Sequence, residues 1–252
     1  MKRPVLAAVT AVCAAALALS GCDDGGGGTD DRTGREPATA TSTAEDAADD
    51  FGCLTGKQLK RSVTFEDTEG NEVGGYATGS GAAGVVLSHQ SNNNVCSWVP
   101  AADELAGDGY RVLAVDSSGS EVPELVAAAA RLRHEGAEKI ILMGASKGGT
   151  ASLVAAAEIE PEVAAVVSLS GPGFYHGLDA TEAVPGLTMP LYLVAARGDG
   201  TFGEDAEELH GLAKRSRGGR LRLVPGAAHG NDILTQQPDV WKQVKTFLAR
   251  QR

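Results

Sequence analysis

Lys139-Ile140-Ile141-Leu142-Met143, followed by Gly144-Ala145-Ser146-Lys147-Gly148-Gly149, decides the reading of this chain. The first five residues, four of them apolar, read as a short strand covered on both faces. The next six satisfy G-x-S-x-G, and a helical pattern follows from Gly149. A strand that turns sharply into a helix needs glycines at the turn, because a Cβ there would meet the neighbouring chain. Such a turn presents Ser146 at the C-terminal edge of a sheet. Its hydroxyl then sits at the positive end of a helix, where the N–H of Lys147 can hold an oxyanion. As a bare pattern the motif is weak, but between a strand and a helix it reads as a nucleophile elbow.

Outward from this turn the chain alternates between two periods. Runs rich in Val, Leu and Ile at 84–88, 110–115, 163–169, 191–195 and 220–224 read as further doubly covered strands. Segments 98–106, 122–135, 149–160, 205–215 and 238–251 carry apolar residues at helical spacing. Two leading strands, 63–65 and 73–78, flank the turn-forming Thr68-Glu69-Gly70-Asn71 and read as a hairpin. A hairpin followed by repeated βα units predicts an α/β fold, a doubly wound and mostly parallel sheet of about eight strands with helices on both faces.

A nucleophilic serine needs a base, and the chain has five histidines. His134 and His210 fall on helices among charged residues and read as surface groups. His229 lies in Pro225-Gly226-Ala227-Ala228-His229-Gly230, directly after the last strand and at the edge that presents Ser146, so we expect it to be the general base. The acid that orients it should come from the same edge. Asp199, after strand 191–195, is the first candidate, and Asp205 is the reserve. Glu204 and Asp205 also suit the N-terminal dipole of the next helix. His176, in Gly173-Phe174-Tyr175-His176-Gly177, faces the same edge but precedes the acid, which places it at most on a pocket rim.

With these residues in hand, 63–252 resembles the α/β-hydrolase superfamily, and within it the small lidless esterases and dienelactone hydrolase-like proteins. The order Ser146, Asp199, His229 is that family's triad order. The resemblance also implies a second oxyanion donor from the loop after the third strand, read here as His89-Gln90-Ser91. Where the family often has His-Gly, this chain has Gln90, which restricts the loop and leaves open whether the N–H of Gln90 or of Ser91 serves. About twenty residues separate Ser170 from Leu191, too few for a helical cap, so the resemblance implies an open pocket. Gln90, Trp98, Phe174, Tyr175 and His176 are its candidate rim, a mix that suits a small or medium acyl group. The implied activity is hydrolysis of carboxylic esters through an acyl-enzyme. A peptidase or amidase on the same triad stays open, as does a tethered binding protein that has lost turnover.

Composition bounds the rest. The chain has 252 residues, 42% of them apolar, enough for one large core. Its formal net charge of -11, from 33 acidic and 22 basic residues, argues against a nucleic-acid partner. Without metal-ligand spacing or a Gly-rich nucleotide loop, no metal and no cofactor are expected, and the partner is a small-molecule ester met by a monomer.

The N-terminus reads as an address. Lys2 and Arg3 precede an apolar run from Val5 to Leu19, too short to span a bilayer and of signal-peptide length. Leu19-Ser20-Gly21-Cys22 resembles the lipobox of bacterial lipoproteins, which implies lipidation of Cys22 and an anchor on the outer face of the cell membrane. Residues 1–21 are thus expected to be a signal peptide. Residues 22–50, with nine carboxylates, two arginines and scarcely a large apolar side chain, are expected to form a disordered acidic tether, and 51–252 the hydrolase domain. Export permits disulfides, and Cys53 and Cys96 are expected to pair.

Overall fold

Along the strands the apolar residues alternate between two layers. Val85, Leu87, Ile141, Met143, Tyr192 and Val194 pack into one, while Val86, Ile140, Leu142, Leu191 and Leu193 pack into the other. Period-two alternation sends successive side chains to opposite faces, and a sheet covered on both faces must be apolar at every step. The computed structural model describes residues 49–252, and there this alternation builds one sheet. The expected signal peptide, the lipidation site Cys22 and nearly all of the expected tether lie outside the described residues.

A hairpin leads, β1 (Ser62–Glu66) and β2 (Glu72–Thr78), then β3 (Ala83–Ser88), α1 (Val99–Gly107), β4 (Arg111–Asp116), α2 (Glu121–His134), β5 (Lys139–Ala145) and α3 (Lys147–Ala155). After β6 (Ala165–Leu169) come a miniature antiparallel pair, β7 (Phe174–Tyr175) and β8 (Leu178–Asp179), and the single turn α4 (Ala180–Ala183). The chain then continues through β9 (Leu191–Ala196), α5 (Phe202–Leu212), β10 (Arg220–Val224), α6 (Asp232–Gln236) and α7 (Pro238–Ala249). The eight-stranded sheet runs β1-β2-β4-β3-β5-β6-β9-β10. β2 is antiparallel to both β1 and β4, and every other pairing in it is parallel.

The expected architecture is therefore present: eight strands, mostly parallel, with helices on both faces and, among the described residues, no cap domain. Residues of α1 and α7 share a layer with one face, and those of α2, α3 and α5 with the other. Between β6 and β9 the chain spends its length on β7, β8 and α4, in place of a helical cap. Their strands are two residues long, too short for any periodicity to register.

The C-terminal ends of the parallel strands lie side by side, and this is what gathers the candidate residues. Ser146 follows β5, Ser170 follows β6, Asp199 lies three residues past the end of β9, and His229 lies in the loop after β10. A disulfide joins Cys53 to Cys96 with their Cα atoms 6.0 Å apart, tying the start of the domain to the turn before α1.

Candidate active site

Close packing shapes the elbow. A Cβ on Gly144 would lie 2.0 Å from the carbonyl oxygen of Gly148. One on Gly148 would lie 2.4 Å from the Ser88 carbonyl and 2.7 Å from that of His89. Both positions therefore exclude any other residue, which is the reason the motif spells glycine there. Between them Ser146 adopts φ 50°, ψ -119°, a left-handed conformation uncommon outside glycine. It precedes the first residue of α3, so its side chain stands at the helix N-terminus. Its own N–H donates to the Leu169 carbonyl at 2.8 Å, binding the elbow to β6.

Asp199 and His229 meet. His229 Nδ1 lies 2.8 Å from Asp199 Oδ2, and a carboxylate only accepts, so Nδ1 carries a proton, and in the neutral ring Nε2 then keeps its lone pair. That is the tautomer a general base requires. The reserve acid, Asp205, is occupied elsewhere: it accepts from the N–H of Gly173 at 3.1 Å and pairs with Thr201. Phe202 packs against the imidazole, with ring centroids 4.5 Å apart. The His229 loop lies on the elbow, since a Cβ on Gly230 would come within 3.2 Å of the Ala145 Cβ. Ser146 Oγ and His229 Nε2 are not hydrogen-bonded to each other; in the absence of substrate such contacts are commonly loose.

The loop after β3 runs beside the elbow, as the contact of Gly148 with Ser88 and His89 requires. His89 is buried and fully engaged. Nδ1 donates to the Gln90 carbonyl at 2.8 Å, and Nε2 accepts the Ser117 N–H at 3.0 Å. Burial, chiefly, holds its pKa below the usual histidine value, with nearby Lys147 acting in the same direction. His89 is thus a neutral strut that fixes the Gln90 peptide and has no free nitrogen for catalysis. Among the described residues neither Gln90 nor Lys147 has an acceptor for its backbone N–H, so both donors remain available. The Gln90 side chain turns toward the histidine loop, where Oε1 accepts from the Asn231 N–H at 3.3 Å.

Of the expected rim, Tyr175 comes to this loop, its hydroxyl 2.8 Å from Ser91 Oγ. His176 packs its ring edge-on against Tyr175 in the β7–β8 turn, and Phe174 stands 61% exposed. Trp98 is wholly buried in the core at the start of α1, just after the turn Val95–Ser97, and it lines a cavity with Ser97 and Asn231, two residues beyond His229.

Three side chains beneath the site were not foreseen in its machinery. The hydroxyl of Ser170 donates to Asp199 Oδ2 at 2.8 Å and accepts from the Gly230 N–H at 3.1 Å. Glu121, at the start of α2, holds the ammonium of Lys147. Phe202 faces the imidazole. Ser170 and Glu121 had a sequence signal only in their positions, one after a strand and one opening a helix.

Neither a family model nor a curated protein matches the chain. Solved structures do. The chain is similar to the Pyrococcus furiosus esterase Pf2001, with a TM-score of 0.67 at 18% identity over 78% of this chain and 95% of that one. It is similar to a dienelactone hydrolase from Anabaena variabilis, with a TM-score of 0.60 at 26% identity over 75% and 94% of the two chains. A Paleococcus ferrophilus monoacylglycerol lipase matches with a TM-score of 0.61 at 16% identity over 72% of this chain and all of that one. With its sheet order, its elbow after β5 and these likenesses together, the chain has the α/β-hydrolase fold.

Proposed function

We propose that the chain is a serine hydrolase that cleaves small or medium carboxylic esters through Ser146, His229 and Asp199. The observation that carries this reading is the 2.8 Å bond from His229 Nδ1 to Asp199 Oδ2, made by a loop that packs directly on the strained serine turn. In the reaction His229 Nε2 takes the Ser146 hydroxyl proton as Oγ attacks the ester carbonyl. The tetrahedral oxyanion is held by the N–H groups of Lys147 and Gln90. The intermediate then collapses: the ester C–O bond breaks, its electron pair goes to the alcohol oxygen, and His229 gives that oxygen the proton so that a neutral alcohol leaves. Water repeats the cycle on the acyl-enzyme, releasing a carboxylic acid and restoring Ser146. The short connection between β6 and β9 supports an open site, and Tyr175 beside Ser91 gives its wall a polar tip.

The same reading places the enzyme outside the cytoplasm, anchored by lipid on Cys22. The Cys53–Cys96 bridge supports this, since disulfides persist in oxidising compartments.

The test is hydrolysis of p-nitrophenyl esters of two to eight acyl carbons beside matched p-nitroanilides. Wild type should prefer esters, and Ser146→Ala should lose roughly three orders of magnitude or more in kcat. Retention of turnover by Ser146→Ala would refute the assignment, and a preference for the anilides would move the reading to an amidase.

A further inference from the structure

Leu169 and Ser170, adjacent at the end of β6, are hydrogen-bonded to all three parts of the site. The Leu169 carbonyl accepts the Ser146 N–H at 2.8 Å. Ser170 Oγ donates to Asp199 Oδ2 at 2.8 Å and accepts from Gly230, the residue after His229, at 3.1 Å. We propose that Ser170 is a positioning residue of the reaction, its one hydroxyl holding the acid and the histidine loop in register. This inference rests on the hydrolase reading above.

The hydrogen-bond roles are forced. A carboxylate has no proton to give and a backbone N–H has no lone pair, so the single Ser170 proton goes to Asp199 and its oxygen receives Gly230. Asp199 Oδ2 is thereby shared between two donors, Ser170 Oγ and His229 Nδ1. With Oδ2 pinned by Ser170, the carboxylate cannot rotate away from the imidazole, and the loop carrying that imidazole is tied to the same atom. No other side chain is hydrogen-bonded to both Asp199 and the His229 loop among the described residues.

Two further features mark Ser170 as more than packing. It is wholly buried, so no water competes for its hydroxyl. Its φ is 50°, a left-handed conformation that a serine holds only when its surroundings over-determine it, and here the N–H is fixed to the Val194 carbonyl at 2.7 Å. If the backbone alone mattered, glycine would satisfy this position better than serine does. What glycine lacks is the hydroxyl.

That contrast supplies the experiment. Ser170→Gly and Ser170→Ala are made in the full chain and compared with wild type by p-nitrophenyl butyrate turnover, thermal unfolding and the low-field proton resonance of the His229 imidazole N–H. Glycine suits the backbone at φ 50°, so Ser170→Gly keeps a folded protein even where Ser170→Ala does not. Both variants should lower kcat by about 10- to 100-fold, the range for losing a hydrogen bond to a charged group, with KM within about twofold. The imidazole N–H resonance should move or broaden. A folded Ser170→Gly with wild-type kcat and an unmoved resonance would overturn the inference while leaving the hydrolase reading intact. A wild type inert toward esters and fluorophosphonates alike would overturn both.

Discussion

Lys147 Nζ lies 2.9 Å from Glu121 Oε1, in an ion pair whose side chains are only 11% and 10% exposed. Lys147 is the residue after Ser146, and its side chain is drawn away to the start of α2. The pair packs the two helices together and spends its charge locally. Burial works against the Glu121 carboxylate, but the Lys147 hydrogen bond and charge, with its own backbone N–H, hold its pKa below the usual carboxylate value.

Removing one partner should therefore cost more than removing both. Lys147→Met leaves a buried unpaired carboxylate and should lower the unfolding free energy by about 3 kcal/mol, whereas Lys147→Met with Glu121→Gln should recover much of that loss. Urea unfolding at pH 7 measures both. Because Glu121 has a lowered pKa in the folded state, the pair's contribution is complete above the unfolded value, about 4.3, and declines as pH falls through the folded one. Single and double variants of equal stability would show that the pair is uncoupled.

His89 gives the opposite charge type and the same direction with pH. Its folded pKa is lowered, so below the unfolded value of about 6.5 the unfolded chain binds a proton that the folded chain refuses. Stability is full above that value and declines as pH falls toward the folded pKa. His89→Asn should flatten this part of the stability profile, and the gap between wild type and variant should narrow on acidification. Ester turnover should also fall by about tenfold or more, because the Gln90 peptide loses its Nδ1 anchor. A pH-independent gap would contradict the neutral-strut role.

The Cys53–Cys96 bridge closes a separation of 43 residues. Loop-closure entropy gives it up to roughly 4 kcal/mol. Cys53→Ser with Cys96→Ser should lower the unfolding free energy by up to that amount while leaving kcat of the folded fraction within about twofold, since the bridge lies in the turn before α1 and neither cysteine is hydrogen-bonded to Ser146, Asp199 or His229. A large loss of kcat at full folding would show that the bridge shapes the site itself.

What could be read in the sequence was what depends on local pattern. β5 and β9 are apolar at nearly every step because both faces are covered, and that is visible residue by residue. Ser146, Asp199 and His229 could be placed at one edge of the sheet because each follows a strand whose end could be located. Helix limits were less so: α3 begins at Lys147 and stops at Ala155, and α5 spans Phe202–Leu212, shifted about three residues from expectation. The burial of Trp98 has no local signal, because an aromatic near a loop looks the same in sequence whether it turns outward or into the core. Ser170, Glu121 and His89 act through partners far away in the chain, Ser170 through residues 29 and 60 positions distant, and no local pattern encodes such pairings.

The central claim is that Ser146 is an activated nucleophile served by His229. Intact mass of the full chain after exposure to a fluorophosphonate, beside Ser146→Ala and His229→Ala, tests it most directly. The account expects one phosphonyl adduct on wild type, formed with loss of fluoride, and none on either variant. An unmodified wild type, or an adduct that survives in Ser146→Ala, would contradict it.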